Sequence, residues 1–482
     1  MSLSTALHSA LSGITAAGRA SGVVSENIAN ALTPGYSRRS LVLDSQSDVA
    51  PGVRVTGLIR HSDPVIIANR RSADAQFGNA SALASFRTRV AGAIGTSTDV
   101  SSIASHLAEF DTSLISASSR PDSSIRLDQT VLRAKDLATA LNNASDSIQS
   151  MRSEADRKID VQVRRLNEVL SEVQELNTRI TGVSSGGGST ASLMDQRQAL
   201  IDEINTIVPV QVAQRDFGQV ALYTDGGVVL LDGQAATVGF SPVHAITPGM
   251  TQQGGALSGL DVNGVPLSSG TTGPFKGGTL AAQFEIRDEL ATAAQADLDA
   301  MARDLIERFE DPAVDPTLVV GDPGLFTDNG AALDVTLEVG LAGRIEVNSA
   351  VDPAQGGESW RMRDGINAAV PGPVGDARLL QALSGALTTA RVPSSGDFGS
   401  GALSASELGS ILMSRAAENA AESEQKLSFA SATQTEMKEI ELAQGVDTDA
   451  ELSHLMLIEQ AYAANARMLE VVDEMMQQLL RI

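Results

Sequence analysis

Two apolar stripes of the same period sit at opposite ends of one 482-residue chain. At the start, Leu3, Ala10, Ala17, Val24 and Ala31 recur every seven residues, with Leu7, Ile14, Ser21 and Ile28 offset by four. At the end, Leu455, Tyr462, Leu469 and Met476 recur at seven, and Ile458, Asn465, Val472 and Leu479 complete the line. A mean period of 3.5 places each set on one narrow helical face. Neither face can be buried by its own helix. Burying a Leu stabilises by about 1.5–3 kcal/mol and an Ala by far less, so a lone Ala-rich rod of roughly 45 Å is marginal. The simplest solution pairs the two ends with each other. An ordinary helical bundle is one form of that core. A seam completed by neighbouring subunits is the other, and the Ala content favours it.

Each stripe has a sharp boundary. After the first comes "NIANALTPGYSRR", from Asn27 to Arg39. Thr33-Pro34-Gly35-Tyr36 fits a type II turn, with Pro second and Gly third. Asn27 and Asn30 near a helix end read equally as caps, and Tyr36 as a turn residue packing back on the helix. Leu41, Val42 and Leu43 suggest a short strand or extended arm. Before the last stripe, Gly445 reads as a helix C-cap, and Thr448-Asp449-Ala450-Glu451 has capping-box spacing.

Between the ends the pattern is first helical. Stretches near Val65–Arg89, Leu127–Ala155 and Ser404–Ala443 read as helix. Val163, Leu166, Leu170, Val173 and Ile180 form a seam from Ile159 onward, interrupted by Asn177. "GVSSGGG", Gly182 to Gly188, reads as a flexible break, and Pro209 stops the helix containing Leu193, Leu200, Ile204 and Ile207. From Val210 the period changes to that of strands. Asp225-Gly226, Asp232-Gly233 and Asp261-Val262-Asn263-Gly264 are hairpin-type turns. Helix returns near Thr279–Phe309, and Asp311–Pro373 is turn-rich with short strands. The chain goes out, builds a β-rich insert and comes back.

Chemistry is hard to place on this sequence. The five histidines, His8, His61, His106, His244 and His454, form no i,i+4 pair, and neither HExxH nor GxSxG occurs. "DVNG" at Asp261 lacks the downstream ligands of a calcium loop, and "SSGGGS" at Ser184 has no Lys of a phosphate loop. No catalytic residue, metal site or cofactor is expected. A net charge of −24 argues against a nucleic-acid surface. The absence of cysteine excludes disulfides and thiolate sites. No stretch approaches the roughly 20 apolar residues of a membrane span, and no Lys or Arg precedes Arg19 to make a secretory signal. Any export is expected to proceed without a cleaved signal peptide.

"NIANALTPGYSRR", with the preceding "LHSALSGITAAG", resembles the N-terminal signature of flagellar axial proteins. "AQGVDTDAELSHLMLIEQAYAANARMLEVVDEMMQQLL" is similar to their C-terminal helix, and "LMDQRQALIDEINTIVPVQV" at Leu193 looks like the hook-associated protein 1 (FlgK) family in particular. The resemblance covers both ends and part of the inner helical region. It implies a multidomain α+β chain with three parts: terminal helices paired as an axial coiled coil, an inner helical bundle of long helices, and a β-rich outer domain inserted in the middle. The corresponding domains are 1–36 with 446–482 (axial), 37–209 with 274–310 and 374–445 (helical, rod-like), and 210–273 (β-rich). The short-strand region 311–373 is attached to one of the last two. Asn27, Asn30, Pro34, Gly35 and Tyr36 match the assembly signature. The resemblance further implies a structural, non-enzymatic part of the extracellular flagellum, self-assembling into a ring or tubular layer. Its implied partners are the hook protein, a second hook-associated junction protein (FlgL) and an export chaperone of the type III route. A hook or distal rod protein is the alternative within the same broad family. A secreted enzyme on an axial-type anchor would need a convergent polar cluster in Val210–Pro373, and none is visible.

Overall fold

The computed structural model describes residues 3–33, 35–45, 52–96, 99–268, 270 and 272–480. The fold is mixed α+β, mostly helical with four small antiparallel sheets among the described residues. Helix α1 (Leu3–Ala29) leads into a two-stranded hairpin, β1 (Arg39–Ser45) and β2 (Val53–Arg60). β1 is where Leu41, Val42 and Leu43 suggested a strand. Its partner β2 carries too little alternation to be read from the sequence.

Four helices follow: α2 (Pro64–Ile94), α3 (Ile103–Ser119), α4 (Ser124–Ser185) and α5 (Ala191–Ile207). Asp63 caps α2 by accepting from the Val65 and Ile66 N–H groups, and Pro64 supplies the preset φ of a first turn. α4 has 62 residues, a rod of about 93 Å. It replaces what the sequence presents as two helices, and it runs past Gly182 to Ser185, so the break before α5 is shorter than "GVSSGGG".

α4 spans two hydrophobic cores. Its first half packs with α3, with α7 (below) and with the aromatic trio Phe110, Phe309 and Phe326, whose ring centroids lie 5.4–6.0 Å apart. Its second half, from Ile159 to Val173, packs with α5 and the β insert. That insert contains a four-stranded sheet, β3 (Val210–Gln214), β4 (Val220–Thr224), β5 (Val229–Asp232) and β6 (Gln234–Ala235). A three-stranded sheet follows: β7 (Val238–Gly239), β8 (Leu260–Val262) and β9 (Val265–Leu267). Asn263 and Gly264, with φ of 52° and 79°, make the β8–β9 turn, as a primed hairpin turn requires. The change at Pro209 is a change of element, but the core crosses it.

The return path is α6 (Gly278–Glu285), a π-turn at Ile286–Leu290 and α7 (Ala291–Phe309). Strands β10 (Phe326–Asp328) and β11 (Ile345–Val347), short helix α8 (Arg361–Asp364) and α9 (Arg378–Thr388) complete the first core. α10 (Ala405–Ala443) opens with a full capping box between Ser404 and Glu407 and lies along α2. α11 (Thr448–Leu480) then packs along α1. α10 ends without a left-handed glycine: the Gly445 N–H bonds the Leu442 carbonyl at 2.9 Å.

Candidate functional site

α1 and α11 run antiparallel. The end of α1 meets the start of α11 at Asn27 and Glu451, while Gly13 faces Asn465 farther along. The buried line between them is short: Ala17, Val24 and Ile458, flanked by Ala20, Ile28 and Leu455. Val472 is also buried, whereas Leu3, Ile14 and Leu469 are only half-covered. Leu7, Tyr462, Met476 and Leu479 are exposed. The structure thus brings part of each stripe together and leaves the outer end of α11 open.

The signature after α1 is a polar joint. Asn27 is fully buried, and its amide makes all four hydrogen bonds open to it. Nδ2 donates to the Arg39 carbonyl at 2.9 Å and to Glu451 Oε2 at 3.0 Å. Oδ1 accepts from the Tyr36 hydroxyl at 2.9 Å and the Arg39 N–H at 3.0 Å. An amide fits here because the site needs two donors and two acceptors at once. Burial pushes the Tyr36 hydroxyl above its ordinary pKa, which keeps it a donor. The Arg39 guanidinium stacks 4.7 Å from the Tyr36 ring centroid.

Gly35 makes the turn possible. Its φ is 78°, and Tyr36 N–H closes the turn on the Thr33 carbonyl at 3.1 Å. A Cβ there would also sit 3.4 Å from the Asp195 carbonyl oxygen. Pro34 lies outside the described residues. Asn30 plays a local part: half-buried, it donates to the Glu26 carbonyl and accepts from the Thr33 hydroxyl, closing the frayed helix end.

The joint reaches into the helical body through side chains that the sequence did not single out. Arg38 pairs with Glu451 at 2.7 Å, and Arg39 and Arg60 grip the two oxygens of Asp195 at 2.7 and 2.6 Å. Glu451 is buried, and its carboxylate is turned away from the capping-box position. Asp447 caps α11 instead, accepting from the Asp449 and Ala450 N–H groups. One polar cluster therefore ties the end of α1, both hairpin strands, α5 and the start of α11. A second knot lies beyond it. Buried Arg70 reaches Asp74, Asp202 and Glu441 at 2.6–2.8 Å, joining α2, α5 and α10. Burial works against the Arg70 charge, but these carboxylates hold its pKa above the usual value. Neighbouring Arg71 shares Asp202, and burial lowers its pKa.

Among the described residues no group of three or more His, Asp or Glu side chains could hold a metal ion, and no helix is long and apolar enough to cross a membrane. The arrangement is a polar joint that links the end of α1 and the hairpin to α5 and the start of α11.

Two family models match the chain. Residues 89–313 match the flagellar hook-associated protein FlgK helical domain, and residues 443–482 match the flagellar basal body rod FlgEFG protein C-terminal model. Flagellar hook-associated protein 1 of Bacillus subtilis is 22% identical over 98% of this chain and 97% of its own length. Its Escherichia coli counterpart is 27% identical over 244 residues, which is 48% of this chain and 44% of that protein. The chain thus spans less than half the length of that relative in the matched part. The flagellar hook junction protein FlgK from Burkholderia pseudomallei aligns over 55% of this chain and 47% of its own, at 19% identity and a TM-score of 0.44.

Proposed function

This chain belongs to the FlgK family of flagellar hook-associated proteins, and we propose that it is a structural subunit of the extracellular flagellum that joins hook to filament. In this reading α1 and α11 form the axial coiled-coil domain, the long helices form the wall outside it, and the β insert faces outward. Copies assemble into a ring or tubular layer on the hook protein, with a second junction protein (FlgL) above. The chain leaves the cell through the type III route with an export chaperone, without a cleaved signal peptide. Asn27, Asn30, Pro34, Gly35 and Tyr36 act as the assembly signature.

The observation that carries the reading is a second apolar stripe on α11. Leu457, Met468, Val471, Met475 and Leu479 are 45–63% exposed. At 100° per residue they share one face, roughly 100° round the helix from the line facing α1. An exposed apolar line of this length beside a fixed joint suits contact with neighbouring subunits. The family model over residues 443–482, named for rod proteins, supports an axial role for this helix. Deleting the gene tests the proposal. Cells are expected to carry finished hooks, no filaments and filament subunits in the medium. Normal filaments would overturn it, and failure to complete the hook would favour a hook or distal rod role.

A further inference from the structure

Between α2, α5, β3 and α10 runs a groove of about 1450 Å3. Ile67, Ile201 and Val212 contribute an apolar floor, and Phe429 stands on its rim, 75% exposed. Five cations reach the groove: Arg60, Arg71, Arg197, Lys276 and Lys426, against the acids Asp225 and Glu422. Three of the five are ion-paired within the chain, Arg60 with Asp195, Arg71 with Asp202 and Lys426 with Glu422.

Arg197 and Lys276 are left over. Neither is in an ion pair among the described residues. Arg197 is 94% buried, since only 6% of it is exposed. Its Nη1 donates to Asn177 Oδ1 at 2.8 Å and to the Gly218 carbonyl at 2.7 Å. Burial first, and Arg60 second, lower its pKa to about 10, so it stays charged at neutral pH. A buried guanidinium without a carboxylate has lost its hydration and gained no counter-charge. The chain around this positive groove carries a net charge of −24. Charge complementarity therefore makes another copy of the same acidic chain a fitting occupant.

We propose that the groove seats an acidic, amphipathic segment of a second copy of this chain, with apolar side chains on the Ile67–Ile201 floor and carboxylates against Arg197 and Lys276. The proposal rests on the layered assembly argued above, which brings copies side by side.

The test replaces Phe429 with a benzophenone amino acid in the full chain. Light and isotope-heavy stocks are mixed, added to isolated hook ends and irradiated. The expected product is a dimer of twice the chain mass, joining light to heavy chains at a peptide containing Asp or Glu. Lys276→Glu, at an exposed position, is expected to cut its yield at least tenfold without changing the melting of the free chain. Cross-links only within one chain, only to a different protein, or at a yield unchanged by Lys276→Glu overturn the proposal. If the chain does not add to hooks, the junction reading fails, and sedimentation of the free chain decides the groove alone. There, Lys276→Glu is expected to weaken self-association about tenfold. Equal association of the two, or none by either, overturns it.

Discussion

Asn27 and Glu451 are 424 residues apart in the chain and 3.0 Å apart in space. With Arg38 on the same carboxylate, this contact joins the two ends of the chain. Its chemistry is directional: the amide donates and the carboxylate accepts. Asn27→Asp removes the donor and sets a second buried carboxylate against the first. An uncompensated buried charge of this kind costs about 3–5 kcal/mol. Asn27→Ala leaves Glu451 its Arg38 partner and should cost less, about 1–3 kcal/mol. The loss should be local to the joint. Hydrogen exchange is expected to lose protection over residues 3–29 and 448–480, with the core around Phe110 unchanged. Equal protection in Asn27→Asp and wild type would show that the joint does not hold the termini.

Two glycines on α1 should respond in opposite ways. A Cβ on Gly13 would lie 2.7 Å from the Asn465 side chain, whereas a Cβ on Gly22 meets nothing within 4 Å. Gly13 thus marks a place where α11 packs tightly against α1. Gly13→Val forces Asn465 aside and adds β-branched bulk, so the pair should separate there. Gly22→Ala adds only helix propensity, about 1 kcal/mol in favour of α1. Thermal melts followed by circular dichroism should show Gly13→Val losing helical signal early and Gly22→Ala retaining it longer. A Gly13→Val chain that melts like wild type would place the interface elsewhere.

The ends of the chain were the legible part, because heptad spacing and turn chemistry are local signals. Gly35, the β turns at Asp225 and Asn263, and the stop at Pro209 were readable for the same reason. The continuous α4 was not. Arg152 and Asp156 interrupt its apolar pattern, yet both are buried. Arg152 donates to the carbonyls of Arg287 and Met250, and Asp156 pairs with Arg287 at 2.6 Å. Polar residues at core positions hide the continuity of the helix from the sequence, because their partners lie about a hundred residues away. α3 was missed although Ile103, Leu107, Phe110 and Leu114 repeat at helical spacing; its many serines hid it. The joint itself was half visible. Asn27 and Tyr36 stood out as a motif, while Glu451 looked like a local cap because its true partners, Asn27 and Arg38, come from the other end of the chain.

The pH response of one carboxylate can be signed. Burial, and then the like charge of Glu289, push the Glu285 pKa up, against the pull of Arg87 and Lys426. A folded-state value above the unfolded one gives stability that is full below the ordinary Glu value of about 4.3 and is lost as pH rises through the raised value. Glu285→Gln fixes the neutral form and lacks that loss. In urea titrations the variant should match wild type near pH 4 and exceed it at pH 7. A variant that falls further behind wild type as pH rises would show that Arg87 dominates this site.

The outer part of α11 allows assembly to be separated from folding. Val472 is 3% exposed, on the side facing α1, and Glu470 is an exposed neighbour on the same turn. Val472→Asp buries a carboxylate with no partner, which costs several kcal/mol and exceeds what a thin seam of Ala17, Val24 and Ile458 can absorb. The two large cores draw on α2 to α10 and on the β insert, and contain no residue of α11. The main cooperative melt should therefore survive Val472→Asp, while addition of purified chain to hook ends should fail. Leu469→Asp, at a half-covered position, should act in the same direction but more weakly. Glu470→Lys changes charge on the open face and should add to hooks nearly as wild type does. The order expected in a hook-binding assay is Glu470→Lys, then Leu469→Asp, then Val472→Asp. If Val472→Asp joined hooks as well as Glu470→Lys, the α1–α11 pair would not be an assembly element. If it abolished the main melt as well, the terminal pair would be part of the cooperative core rather than a domain docked beside it.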